Sequence, residues 1–111
     1  MKLLFVETRH FTRRITAERW EEDLRELQQE LLRNPEKGPP EQGTGGLRKV
    51  RMRLRASAKG KSSGARVHYV YQPQRSVIYL LYVYPKGEQA VLTEEQKRML
   101  RPLIEVFKHE R

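Results

Sequence analysis

The chain has 111 residues and carries 23 Lys plus Arg against 14 Asp plus Glu, a formal net charge of +9, with no cysteine. That length suits one domain spanning residues 1–111, and the absence of Cys rules out a disulfide scaffold or a thiolate metal site. Three scattered His residues suggest no metal or cofactor, and four consecutive apolar residues before Glu7 are too few for a signal core or a membrane span, so a cytoplasmic protein is expected.

The charge is unevenly placed. From Gln42 to Gly87 there is no Asp or Glu, while Arg48, Lys49, Arg51, Arg53, Arg55, Lys59, Lys61, Arg66, Arg75 and Lys86 all fall there, leaving a body of net charge −1 around a sector of +10. Such a sector is the electrostatic footprint of a polyanionic partner.

Leu3 to Val6 reads as a short strand, and Thr8 and Thr16 are places for helices to begin. From Ala17 to Arg33, the spacing of Trp20, Leu24, Leu27 and Leu31 predicts an amphipathic helix. It should stop at Asn34-Pro35, because a residue before proline is pushed out of helical geometry. Glu36 to Gly46 holds four Gly and two Pro in eleven residues and is a loop. Val50, Met52 and Leu54 then alternate with Lys49, Arg51, Arg53 and Arg55, the period of two that marks a strand with one apolar and one cationic face.

A loop from Ser57 to Gly64 leads to a strand at Arg66 to Tyr71, a turn at Gln72 to Ser76 and the run Val77 to Tyr84, apolar on both faces like a central strand. Thr93 and Gln96 fit a capping box that opens a last helix. Its apolar stripe is Met99, Leu100, Leu103, Ile104 and Phe107, and Pro102 should bend or interrupt it. The order predicts an α+β fold, a small mostly antiparallel sheet with N-terminal helices and a C-terminal helix.

Lys49, Arg51, Arg53 and Arg55 would lie about 6 to 7 Å apart along one side of a strand, close to the phosphate spacing of a nucleic-acid strand. An edge strand protected by charge has the same pattern, but a merely solvated face mixes signs and this stretch does not. Lys59 and Lys61 lie in a Gly/Ser-rich loop able to close on a phosphate. Arg66 and His68 share a strand face, Lys86 sits where the most apolar strand hands over to a loop, and Tyr84 could stack on a base or anchor the core. Clustered cations depress one another's pKa, which makes a crowded Lys a plausible base for metal-free RNA cleavage.

The segments GTGGLRKVRMR (43–53), KGKSSGARVHY (59–69) and YLLYVYPKGEQAVLTEEQK (79–97) together resemble the RelE superfamily of bacterial toxins, in particular its HigB-type branch. The resemblance implies a RelE-like fold and a type II toxin that enters the ribosomal A site and cuts translated mRNA without a metal, by attack of a 2′-oxygen on the adjacent phosphodiester. It implies that Arg66 stabilises the transition state, that Lys86 contacts the scissile phosphate, that Lys59 and Lys61 serve as base or phosphate ligands, and that Arg48 and Lys49 hold RNA. It also implies a helix-turn-helix antitoxin through which operator DNA is bound. His68, Pro85 and Pro102 depart from the family's pattern. The competing expectations are a non-catalytic RNA- or DNA-binding module using the same cationic face, and a gyrase-poisoning toxin of the related ParE branch.

Overall fold

The computed structural model describes residues 2–55 and 64–109. β1 (Leu4–Glu7) leads into α1 (Arg9–Glu18) and α2 (Glu21–Arg33); β2 (Arg48–Met52), β3 (Ala65–Gln72) and β4 (Val77–Pro85) follow, and α3 (Glu94–His109) closes the order. The strands lie in the order β1-β4-β3-β2, with β1 parallel to β4 and the other two pairings antiparallel. The α+β architecture and the mostly antiparallel sheet are therefore as expected. The one parallel pair exists because the long excursion through both N-terminal helices lets β4 return beside β1 in the same direction.

Thr8 opens α1 as expected: its side-chain oxygen accepts the Phe11 N–H at 3.1 Å, while its hydroxyl donates to the Leu81 carbonyl at 2.9 Å. One side chain thus caps the helix and ties it to β4. Thr16, by contrast, begins nothing. It lies inside α1, which ends at Arg19 in the left-handed region (φ 60°), with the Trp20 N–H donating to Ile15 at 3.0 Å. This closing turn lets α1 and α2 both lay their apolar stripes on one face of the sheet. Asn34 terminates α2 in extended geometry ahead of Pro35.

The helices α1 and α2 cover one face of the sheet with Phe11, Ile15, Leu24, Leu27 and Leu31 against Val50, Met52, Val67, Tyr69, Ile78, Leu80 and Val83. On the other face α3 brings Leu100 and Ile104 against Val70, Val77, Tyr79, Leu81 and Tyr84. Each such side chain, fully buried, contributes about 1.5–3 kcal/mol. β4 is the doubly covered central strand that its apolar run predicts. The capping box forms, with Thr93 N–H on Gln96 Oε1 at 2.9 Å and Gln96 N–H on Thr93 Oγ1 at 3.1 Å. The helix it opens runs unbroken through Pro102, whose side chain is exposed, and Leu103 is 38% exposed and not core. No helix among the described residues is long and apolar enough to cross a membrane.

One element departs from the alternation read in the sequence. β2 stops at Met52; Leu54 is buried beside α2, and the Arg55 N–H donates to Asp23 Oδ1 at 3.2 Å. Upstream, the Pro/Gly loop is pinned to the sheet: the Gly38 N–H donates to the Tyr69 hydroxyl at 3.0 Å, and that hydroxyl donates to the Pro35 carbonyl at 2.8 Å. A Cβ on Gly38 would lie 2.5 Å from the Lys49 carbonyl oxygen and 3.1 Å from the Tyr69 ring. Gly38→Ala is expected to destabilise the protein by about 1–3 kcal/mol, the usual range for overpacking. A urea denaturation midpoint equal to wild type would contradict this seating of the loop.

Candidate anion-binding site

Strand pairing builds the site as two rows of side chains across β2, β3 and β4. Arg51 pairs with Arg66 and Arg66 with Tyr84; two residues along, Lys49 pairs with His68 and His68 with Tyr82. Both rows lie on the α3 side, because the β3–β4 register slips between His68 and Tyr69. Leu81 is the extra residue, so Tyr82 and Tyr84 continue on the face of Tyr79 and Leu81 instead of swapping to the other.

Arg66 is the centre of the first row. Its guanidinium Nη1 is buried and has no hydrogen-bond partner among the described residues. A buried donor left without an acceptor costs on the order of 1–3 kcal/mol, which makes this N–H a candidate donor to an anion. Gly64 lies against the same row: a Cβ there would come within 2.8 Å of Arg51 Nε, and its backbone sits at φ 138°, which favours glycine. The Gly64 carbonyl accepts the Lys86 N–H at 3.0 Å. Since Pro85 pairs with Ala65, this bond holds the exposed Lys86 just past the Arg66–Tyr84 row.

The second row is closed over by a carboxylate. Glu41, in the Pro/Gly loop, places Oε1 2.6 Å from His68 Nδ1 and Oε2 3.9 Å from Lys49 Nζ, while His68 Nε2 lies 2.9 Å from the Tyr84 hydroxyl. With Glu41 ionised, Nδ1 carries the proton that Oε1 accepts, and Nε2 accepts from Tyr84. Burial pushes the His68 pKa down despite the Glu41 carboxylate, and burial with the nearby Glu41 pushes the Tyr84 phenol up to about 12.

His68 and Tyr84 are therefore corrected as RNA contacts. Both are 0% exposed, and with their polar atoms engaged to each other and to Glu41 neither has a face for a base. Tyr84 is the core anchor of the two readings its position allowed. Arg48 also leaves the cationic face: it shares the side of Val50 and Met52, and its Nη1 donates to the Gly38 carbonyl at 2.7 Å. Arg55 pairs with Glu26 of α2. Lys49, Arg51 and Arg66 remain on one face, Arg53 is exposed beyond the end of β2, and Lys59 and Lys61 lie outside the described residues.

Glu41 is the participant that sequence reasoning missed. It sits 27 residues from His68 in a loop read only as a spacer, one position before the acid-free stretch begins. A separate apolar groove of about 310 Å³ lies beside Tyr82, lined by Thr8, His10, Leu81, Met99 and Leu103 among others; its lining includes no Lys or Arg. Among the described residues the first row thus offers electrostatic stabilisation of an anion, while the only imidazole in the grid is committed internally. Compared with models of known protein families, the chain matches none.

The two buried groups give opposite pH limbs. Below the ordinary His pKa of 6.5 the unfolded chain takes up a proton that folded His68 resists, so stability falls as pH drops from there through the lowered folded value. Tyr84 keeps its proton between its ordinary 10.0 and about 12, so its contribution is complete below 10 and disappears as pH rises through about 12. Urea denaturation across pH should show a shallower acid limb in His68→Leu and a shallower alkaline limb in Tyr84→Phe; unchanged limbs would count against the burial of these groups.

Proposed function

We propose that this protein is a toxin of the RelE superfamily, HigB-type branch: a ribosome-dependent, metal-independent endoribonuclease that cuts translated mRNA in the A site and so inhibits translation. The observation that carries the reading is Nη1 of the half-buried Arg66, itself buried and without a hydrogen-bond partner among the described residues, in one row with Arg51 and one step from Lys86, inside a 46-residue stretch without a carboxylate.

In the proposed reaction the 2′-oxygen of a nucleotide attacks its own 3′-phosphorus and the P–O5′ bond breaks. The products are a 2′,3′-cyclic phosphate and a free 5′-hydroxyl, once the proton removed from the 2′-oxygen is matched by one delivered to the leaving oxygen. Arg66 stabilises the charge that accumulates on the phosphoryl oxygens, a role suited to a planar, permanently charged guanidinium. Lys86 contacts the scissile phosphate, Lys59 and Lys61 serve as base or phosphate ligands, and Lys49, Arg51 and Arg53 hold the RNA backbone. The partners are the ribosome with its mRNA and a helix-turn-helix antitoxin, through which alone operator DNA is bound.

A second reading, a non-catalytic RNA-binding module, is favoured by one observation: His68, the imidazole nearest Arg66 in the strand register, is sealed from substrate. A gyrase-poisoning action of the ParE type has no feature of the site in its favour.

Primer extension on translated mRNA, run in chelator, separates these readings. The nuclease reading expects new cuts within codons, reduced about 10²–10³-fold in Arg66→Ala, the typical loss on removing one donor to a developing oxyanion. The binding-module reading expects no cuts, with Arg51→Gln lowering the salt slope of RNA affinity by about 0.7, the single-strand value for one phosphate contact. Growth arrest with intact mRNA and an induced DNA-damage response would replace both.

A further inference from the structure

We propose that His68 acts as a latch: it holds the Glu41 carboxylate away from the Arg66 guanidinium and thereby keeps that guanidinium available to an incoming phosphate. The proposal rests on the reading of Arg66 as an anion-binding group, and it makes His68 a positioning residue with no contact to substrate.

Two unlike needs meet on this face. Arg66 Nη1 is a buried donor with no acceptor among the described residues, and Glu41 is a largely buried carboxylate, 15% exposed, beside the adjacent row. A guanidinium and a carboxylate in one partly dehydrated patch ordinarily close into a short, charge-assisted pair. Here they do not. Glu41 spends Oε1 on His68 Nδ1 at 2.6 Å and sets Oε2 3.9 Å from Lys49.

His68 is able to hold the carboxylate because it is itself held. It lies in mid-strand, paired with Lys49 on one side and Tyr82 on the other, and its Nε2 accepts the Tyr84 hydroxyl at 2.9 Å. The Tyr84 and His68 rings also pack with centroids 5.3 Å apart. An aliphatic residue at 68 would fill the space but present no donor, and Glu41 would turn to the nearest cations of its own patch. A neutral latch also suits the purpose, since a protonated imidazole beside Lys49 and Arg66 would raise the local charge; burial, opposed by Glu41, favours the neutral form.

The test is a double-mutant cycle with two readouts, affinity for oligouridylate and the ¹H–¹⁵N signal of Arg66 Nε. His68→Leu is expected to weaken oligouridylate binding on the order of tenfold, the scale of one charge-assisted hydrogen bond, and to slow exchange of the Arg66 Nε proton as Glu41 pairs with it. His68→Leu with Glu41→Gln should restore both, so that removing the Glu41 charge raises affinity far more in the leucine background than in wild type. A general packing defect would not be rescued by a second polar substitution. If the leucine variant fails to fold, His68→Met runs the same cycle, since it is also unable to donate. Equal effects of Glu41→Gln in both backgrounds, or an Arg66 signal unmoved by loss of His68, would overturn the latch. Should wild type bind no oligouridylate while loss of His68 still slows Arg66 exchange in a Glu41-dependent way, the latch stands, and the nuclease reading stands or falls separately on cleavage of translated mRNA.

Discussion

A single register slip between β3 and β4, opposite His68 and Tyr69, decides what the cationic face contains. Side chains on a strand alternate with a period of two, so one extra residue reverses the assignment of everything beyond it. Ile78 and Leu80 point to the α1–α2 core, and so does Val83; without Leu81 as the extra residue, Tyr84 would share that side. The slip delivers the Tyr84 hydroxyl to His68, and with it the support on which the Glu41 contact depends.

The two cores impose the rest. β4 is covered on both faces, so polar atoms at its end have to find partners within the chain, and the Tyr84 hydroxyl does so. Nη1 of Arg66, one strand over, finds none among the described residues, and that asymmetry between neighbours on the same row is what marks it. Several acidic side chains pair away from this face, such as Glu88 with Arg14 and Glu22 with Arg25. The surplus charge is carried by a fold whose stability comes from apolar burial on both sides of the sheet.

Features written in short-range pattern were legible. Thr93 and Gln96 lie three residues apart, and the reciprocal bonds they make require nothing beyond their own turn. Proline after Asn34 ends α2 for a steric reason local to two residues, and the apolar run from Val77 to Tyr84 identifies a strand with no wet side. Where tertiary packing competes with pattern, the pattern failed. The alternation through Arg55 continues past the end of β2 because Asp23 and Glu26, more than 25 residues earlier in the chain, draw Arg55 toward α2. The apparent single helix from Ala17 begins instead after the left-handed turn at Arg19, where burying both stripes on one surface outweighed continuity.

The candidate site divides along the same line. Composition and spacing determined that the positive charge is confined to one sector, that the class is α+β, and that Arg66 and Lys86 border the same sheet, since charge and periodicity are properties of neighbours in the chain. Only the tertiary structure decided which of those cations share a face, that His68 and Tyr84 are interior, and that Glu41 crosses from a loop to reach them. These outcomes depend on strand register and on contacts between residues far apart in sequence, where a displacement of one residue exchanges inside for outside. Nothing in the order of amino acids near Glu41 distinguishes a spacer from a partner; the pairing of β2 with β3 does.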